Sequence, residues 1–376
     1  MVRTRDLGSW RHRFRVVLLA PMAVLGLLAM SAWPAAAEGP TTITLPTPGN
    51  FGAGALGVNP AGVAVGRYSG SGFFEHAVVW TPAGHGGYAA TDLNPAGASD
   101  SEADAVNPAG LIVGWAQLVQ GTPEVWKPSG RGGYTALSLS VPAGLVGRAA
   151  AINARGVIAG WFGDALGGPQ HPAVWRPNEL GGYGPPEDLG APVGYPSAVA
   201  NGINSAGAVV GTASTGAGMS EQNRAVVWAR GGDEAGPAIV LGPLPQGTLS
   251  GAVGISAAGV VAGFSDGTGV GGAVWRPDAR GGYGPAVAIP SLPGGTFVAV
   301  GGVSPAGVIA GTSYATGFVP QATIWLPVRG GYQPVDLGVP GSQASASAGE
   351  FAAGISPVPN NNFLQATLWR LDTSDR

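Results

Sequence analysis

The chain of 376 residues contains no cysteine. It can therefore form no disulfide, carry no lipid on a cysteine, and offer no thiolate as a nucleophile or metal ligand. Its stability must come from packing and hydrogen bonds.

Charged residues and histidine are also scarce. Only 10% of residues are charged, the formal net charge is −3, and there are four histidines. Nucleic-acid-binding proteins carry basic faces, so no nucleic-acid partner is predicted. HExxH does not occur, and His76 and His171 recur at equivalent repeat positions, which indicates a structural role. The sequence predicts no cofactor, no metal and no catalytic residues.

Residues 1–37 have the three parts of a secretory signal: a basic start, an apolar middle and a small-residue exit. The apolar run, residues 16–30, is shorter than the roughly 20 residues of a membrane span and contains Pro21. Cleavage after Ala37 would remove five arginines and one aspartate, which takes the net charge from −3 to near −7. We expect a secreted bacterial protein with one domain, residues 38–376, and no membrane contact after cleavage.

Glycine (67 residues) and proline (33 residues) are abundant and fall at fixed offsets. The phrase VNPAGVAVG, residues 58–66, returns as VNPAGLIVG, residues 106–114. Asn-Pro-Ala-Gly suits a tight turn between two strands. Related turns are predicted at Asn59, Asn107, Asn153, Asn204, Ser256, Ser304 and Ser356.

A second signature ends in tryptophan, and a third reads Gly-Gly-Tyr. Each of the first six predicted turns is followed by a short aliphatic strand and a loop of variable length. All seven units then have a strand that ends in tryptophan, at Trp80, Trp126, Trp175, Trp228, Trp275, Trp325 and Trp369. Four short strands and one tryptophan per repeat of about 50 residues are typical of a β-propeller.

We therefore predict an all-β propeller of about seven four-stranded blades. The seventh unit lacks a clear second strand and a closing strand, and residues 41–49 form a strand-like segment ahead of the first unit. We expect this N-terminal strand to complete the last blade and remove an exposed edge. Six blades with a tail is the alternative.

The repeats resemble the HAF-repeat extracellular proteins over nearly all of residues 38–376. Gly202-Ile203-Asn204 through Gly211 matches the hairpin of that family, and His76-Ala77-Val78-Val79-Trp80 matches its tryptophan strand, although Phe is replaced in the His-Ala-Phe triplet. The resemblance implies secretion and a propeller-like fold. It implies no catalytic residue.

Strand order separates two ends of the propeller. The Asn-x-x-Gly and Gly-Gly-Tyr turns lie at one end and are nearly uniform, whereas the loops of the other end, the variable end, differ in length. Binding sites favour variable loops on a rigid frame. Candidate ligand-binding residues there are Trp115, Trp161, Phe73 and Phe74. Packing between blades is the alternative role for the tryptophans.

The densest acidic run is SDSEAD, with Asp100, Glu102 and Asp104. We predict a loop between the first two units, either solvated or binding calcium, although the glycine and distal glutamate of a known calcium loop are missing.

Three functions remain open from the sequence. The first is a secreted, monomeric, non-catalytic binding scaffold for a cell-wall polysaccharide or a surface protein. The second is a propeller enzyme that acts on a glycan, which would require carboxylates at the channel mouth. The third is a structural envelope protein without a specific ligand, because fold alone does not define function.

Overall fold

The computed structural model describes residues 39–49, 51–70, 74–118, 121–130, 132–165, 167–216, 222–231, 234–267, 271–361 and 363–371. The expected signal, residues 1–37, lies outside the described residues. The described chain folds into seven four-stranded antiparallel sheets arranged as a β-propeller. Its one described helix is a 3-10 turn, Gly84–Gly86. No helix in these ranges has the length and apolarity of a membrane span.

Each blade runs from an inner strand at the channel to an outer strand. Blade 1 contains β2 (Ala53–Val58), β3 (Ala64–Ser69), β4 (Glu75–Pro82) and β5 (Tyr88–Asp92); blade 2 contains β6 (Ser101–Val106), β7 (Ile112–Gln117), β8 (Gly121–Pro128) and β9 (Tyr134–Ser138); blade 3 contains β10 (Val146–Ile152), β11 (Ile158–Gly163), β12 (Gln170–Trp175) and β13 (Glu187–Asp188).

The remaining blades repeat this order. Blade 4 contains β14 (Ser197–Ile203), β15 (Val209–Ser214), β16 (Asn223–Gly231) and β17 (Glu234–Leu241); blade 5 contains β18 (Ser250–Ile255), β19 (Val261–Ser265), β20 (Gly271–Trp275) and β21 (Val287–Ala288); blade 6 contains β22 (Gly295–Val303), β23 (Ile309–Ala315), β24 (Val319–Val328) and β25 (Gly331–Pro340); blade 7 contains β26 (Gln343–Ala348), β27 (Phe351–Pro357), β28 (Leu364–Arg370) and β1 (Thr41–Thr44).

The first strand of the chain closes the ring. β1 pairs antiparallel with β28, from Thr41 opposite Arg370 to Thr44 opposite Thr367. Leu45, which follows β1, is buried in the core between blades 7 and 1. This confirms seven blades with N-terminal closure, and the alternative of six blades with a tail is wrong.

The seventh unit is more regular than its sequence suggests. The first hairpin of blade 7 turns at Gly349–Glu350, because Ala348 pairs with Phe351. Ser356 lies within β27 rather than at a turn, so its assignment as the seventh turn is wrong. The strand described as missing is β27, in which Gly354 pairs with Ala344 as Gly66 pairs with Ala55 in blade 1. Alanines replace the valines of the other units and obscured the pattern.

The repeated asparagine connects neighbouring blades as well as shaping its own turn. The Asn59 Oδ1 accepts hydrogen bonds from the backbone N–H groups of Ala61 and Val63, and Gly62 takes a φ of 77°. The Nδ2 donates to the backbone oxygen at the same position of the next blade, 3.1 to 3.2 Å away, in the pairs Asn59–Asn107, Asn107–Asn153, Asn153–Asn204 and Asn204–Ser256. This asparagine ladder links blades 1 to 5.

Asn107→Ala is expected to lower the free energy of unfolding by about 2 to 3 kcal/mol. The side chain is 2% exposed and makes three hydrogen bonds whose partners would lose them inside the protein. Asn107→Ser should lower the free energy of unfolding by a smaller amount. Blade 5 has serine at this position, and its Ser256 hydroxyl still accepts one hydrogen bond within the turn, from the Val260 N–H. Urea unfolding of the three proteins measures the order. Equal stability of Asn107→Ala and the parent would contradict a structural role for the ladder.

The repeated tryptophans are buried between blades, and their ring nitrogens connect neighbouring blades. Six of them donate from Nε1 to a backbone oxygen just after the preceding outer strand, at 2.7 to 2.9 Å; the pairs are Trp80–Pro46, Trp126–Leu93, Trp175–Ser140, Trp228–Gly190, Trp275–Gly242 and Trp325–Pro290. The ring is thus held by a large apolar side chain and a polar contact at each of these joints.

Candidate functional site

A β-bulge at the same place in every inner strand supplies a residue to the central channel. The register of each inner strand skips one residue, as between Ala103 and Ala105 in β6. A bulged residue is left unpaired in the β-ladder, so its side chain can point in a different direction from its neighbours. The seven skipped residues line the channel: Leu56, Asp104, Ala150, Asn201, Val253, Gly301 and Ser345. Asp104 is the one acidic member.

The acidic run belongs to the channel wall rather than to a loop. Ser101–Val106 is β6, the inner strand of blade 2, so the expectation of a loop over Glu102 and Asp104 is wrong. Aspartate and, to a lesser degree, glutamate and alanine are depleted in strands, which favours a loop over this run. Hydrogen bonding to neighbouring blades overrides that local preference.

Two arginines neutralise these carboxylates from the blades on either side. Arg67 of blade 1 contacts Glu102 at 2.5 Å and Glu75 at 2.9 Å. Arg148 of blade 3 contacts both Glu102 and Asp104, and its Nε lies 2.9 Å from the Asp104 Oδ2. We call Arg67, Glu102, Asp104 and Arg148 the charged cluster. It joins three blades at the variable end.

The two acids of the cluster titrate differently. Burial, together with the nearby Glu102, raises the pKa of Asp104 to about 8, although Arg148 opposes the shift. Burial also disfavours ionisation of Glu102, but the attraction of Arg148 and Arg67 outweighs it and holds the pKa of Glu102 below its usual value. Asp104 therefore holds its proton more tightly than Glu102 does.

The cluster forms one side of a cavity of about 430 Å³ at the channel mouth, which we call the mouth cavity. Such a volume is in the range of small-molecule sites. The other side comes from blades 6 and 7 and is uncharged, with Ala299, Gly301, Thr312, Gln343 and Ser345 among its residues. The channel continues into a second cavity of about 280 Å³ towards the asparagine ladder.

The aromatic candidates flank this site without lining the mouth cavity. Trp115 pairs across its sheet with Glu102, and Trp161 pairs with Arg148, so both rings share a sheet face with the cluster. Both are half-buried, and the Trp115 Nε1 has no hydrogen-bond partner among the described residues. Phe74 is half-exposed beside β4, and Phe73 lies outside the described residues. At the register position of the tryptophans, blade 5 carries the exposed ring of Phe264.

Calcium chemistry finds no support at the acidic run. Asp100 accepts a hydrogen bond from the Glu75 N–H, while Glu102 and Asp104 face arginines. Within the described ranges no group of three or more acidic or histidine side chains is arranged to hold a metal ion.

The repeated histidines pair with aspartates of the outer strands. His171 Nδ1 lies 3.0 Å from Asp188 Oδ2, and its ring stacks on Phe162. His76 Nδ1 lies 3.5 Å from Asp92 Oδ2 and 3.3 Å from the Tyr68 hydroxyl. Neither histidine lines the mouth cavity.

Comparison with known proteins identifies the fold but no family and no function. No protein-family model and no curated protein sequence matches the chain. The structure is similar to puromycin hydrolase, with 15% identity and a TM-score of 0.53 over 84% of this chain and 51% of that one. The chain thus spans about half the length of that enzyme. A protein of unknown function from Dyadobacter fermentans (11% identity, TM-score 0.45, 89% and 100% covered) and the Aleuria aurantia lectin (10%, 0.38, 79% and 94%) are more distant.

Proposed function

We propose that the protein is a secreted, non-catalytic binding propeller that holds part of a cell-wall polysaccharide in its mouth cavity. One observation carries the proposal: charged side chains from three neighbouring blades converge on a cavity at the end where the loops vary. Paired charges anchored on strands are held in place before a ligand arrives, which lowers the cost of ordering a site on binding.

The pairing of the charges favours binding over catalysis. Glu102 shares two arginines, which lower its pKa and make it a weak base. A general base at neutral pH needs a pKa near 7. Each guanidinium has further N–H groups for a ligand, since an arginine carries five donors.

Arg67→Gln is expected to weaken binding to insoluble cell wall about tenfold, because it removes charged donors from the mouth cavity. The test is co-sedimentation of residues 38–376 with cell wall, chitin, cellulose and starch, followed by a binding isotherm. Arg176→Gln is the matched control. Arg176 also pairs with a glutamate, Glu187, at 3.0 Å, and its side chain has a similar exposure to that of Arg67. It follows Trp175, however, and so lies away from the variable end. Trp115→Ala with Trp161→Ala tests the flanking rings.

The outcomes separate the candidate functions. Binding lost in Arg67→Gln and kept in Arg176→Gln supports the proposal. Binding to cell wall that disappears after protease treatment of the wall would indicate a surface-protein partner instead. No binding to any of these materials would overturn the proposal and favour a structural role in the envelope.

A glycan hydrolase is the second candidate, and the acids of the channel favour it. In that reaction Asp104 would protonate the leaving oxygen of a glycosidic bond while the ionised Glu102 attacks the anomeric carbon, and water deprotonated by Asp104 would then displace Glu102 and release the sugar. Release of reducing sugar from any of the four polymers, abolished in Asp104→Asn, would establish this activity. Absence of release from polymers that bind would exclude it for them.

A further inference from the structure

We infer that the mouth cavity takes the end of an uncharged, hydroxyl-rich chain, a neutral oligosaccharide, rather than the middle of a polymer or an ionic ligand. The inference rests on the proposed binding function and specifies the chemical class of the ligand. Three observations carry it: the balance of charge in the cluster, the polar groups of the opposite wall that form no hydrogen bond with described residues, and the continuation of the cavity into the channel.

The charges at the mouth balance one another. Arg67 and Arg148 face the carboxylates of Glu102 and Asp104, with Glu75 at the edge of the group. With Asp104 protonated, two positive charges meet two negative ones, and ionisation of Asp104 adds one negative charge. No excess positive charge is left to capture an anion. A charged ligand would have to be desolvated without a free counter-charge, which is costly.

The same pairs suit hydroxyl groups. A hydroxyl donates one hydrogen bond and accepts others. The guanidinium groups of Arg67 and Arg148 supply donors, and the oxygens of Glu102 and Asp104 supply acceptors beside them. Adjacent donors and acceptors match neighbouring hydroxyls of a sugar ring.

The wall of the mouth cavity opposite the charged cluster carries neutral polar side chains. The side chains of Thr312, Gln343 and Ser345 line the cavity, and none forms a side-chain hydrogen bond with any described residue. Thr312 is only 3% exposed. Buried polar groups in proteins are normally satisfied, so the Thr312 hydroxyl is available to an uncharged polar ligand. The half-buried side chains of Gln343 and Ser345 can add to it.

The shape of the site favours a chain end. The mouth cavity is lined by residues of blades 1, 2, 3, 6 and 7 and lies against the bulged ring residues Leu56, Asp104, Gly301 and Ser345. Because the mouth cavity continues into the second cavity along the channel, an occupant that reaches both lies along the channel axis. A polymer that enters along an axis presents a terminus, whereas a groove across the face would accept its middle.

The first experiment tests charge. Calorimetry at pH 7 compares cellotetraose, maltotetraose and chitotetraose, which are neutral, with tetragalacturonate and a fully deacetylated chitosan tetramer. We expect at least one neutral tetramer to bind about tenfold more tightly than either charged one. Tighter binding of a charged tetramer would overturn the inference while leaving a glycan-binding function in place.

The second experiment tests end recognition. Cellulose and chitin are shortened by mild acid, their chain ends are counted by a reducing-end assay, and binding capacity is measured at constant mass. We expect the capacity to rise in proportion to the number of ends. Capacity that is independent of the number of ends would overturn end recognition, although the protein would still be a polysaccharide binder. Absence of binding to all probes would overturn both proposals.

Matched variants place the ligand in the cavity without breaking an ion pair. Thr312→Val keeps the shape and removes the hydroxyl, and we expect about fivefold weaker binding of the preferred neutral tetramer. Thr212→Val is the control, since Thr212 holds the same register position in blade 4 but does not line the cavity. Thermal unfolding checks that both variants fold. Equal affinity of the two folded variants would contradict the placement.

Discussion

Glu124→Gln is expected to raise the free energy of unfolding by about 3 kcal/mol at pH 8 and to leave it nearly unchanged at pH 4. Glu124 lies in β8 of blade 2, is 1% exposed and has one hydrogen bond, from the Ser138 hydroxyl at 2.5 Å. Its Oε2 has no partner among the described residues. The other blades place smaller uncharged side chains there: Val78, Ala173, Val226, Ala273, Thr323 and Thr367.

The sign follows from proton binding. Burial raises the pKa of Glu124 to about 7 in the folded state, although the Ser138 bond opposes the shift, while the ordinary value of 4.5 applies to the unfolded chain. The folded protein therefore binds the proton more tightly. Stability contributed by this group is lost as pH rises from 4.5 to 7, and the loss is complete above pH 7. Glutamine stays neutral throughout and avoids the loss.

Urea unfolding at pH 4, 6 and 8 measures the effect as a difference between parent and variant, which cancels the titration of other groups. Glu179→Gln is the control, because Glu179 is exposed on the turn before Gly181, and its replacement should change stability by less than about 0.5 kcal/mol. A Glu124→Gln difference that does not change between pH 4 and pH 8 would show that the carboxyl is not desolvated in the folded protein.

Leu45→Ala is expected to lower the free energy of unfolding by about 2 to 5 kcal/mol, as for a leucine in a well-packed core. Leu45 is 1% exposed and follows the closing strand β1, and the next residue, Pro46, accepts the Trp80 Nε1 hydrogen bond. Loss of the packing of the Leu45 side chain loosens the joint between the last and first blades.

Leu139→Ala is the matched comparison. Leu139 follows the outer strand of blade 2 as Leu45 follows that of blade 7, is 3% exposed, and precedes the oxygen that accepts from Trp175. If β1 is a full member of its blade, urea unfolding should find the two costs within about 1 kcal/mol of each other. A cost below 1 kcal/mol for Leu45→Ala alone would mean that the ring is stable without its closing strand.

Much of this fold could be predicted from the sequence because its signals are local and repeated. The turn at Asn59 and the aliphatic residue before Trp80 recur with constant spacing, and each unit can bury its faces only against a neighbour. The closing strand followed from an incomplete last unit. The first hairpin of blade 7 was misplaced because its alanines and shortened turn carry no such local signal.

The candidate site depends on contacts that spacing does not reveal. Arg67 and Glu102 are 35 residues apart, and Arg148 and Glu102 are 46 apart. The bulge that directs Asp104 into the channel leaves no mark on its own residue type, since Leu56 and Gly301 occupy the same place. An acidic run that recurs in no other unit was the one available signal, and strand propensity argued against its correct placement.

Ring closure also has a consequence in time. β1 is the first of the described strands to be synthesised, and its partner β28 is the last. At about 5–20 residues per second, the roughly 320 residues between them take about 15 to 65 s to make. Throughout that interval Leu45 can pack only against the blade 1 part of its core and blade 7 is incomplete, so the joint between the last and first blades cannot close until β28 is made. A chain released before residue 364 would keep an open ring with two unpaired edges, a template for association with other chains.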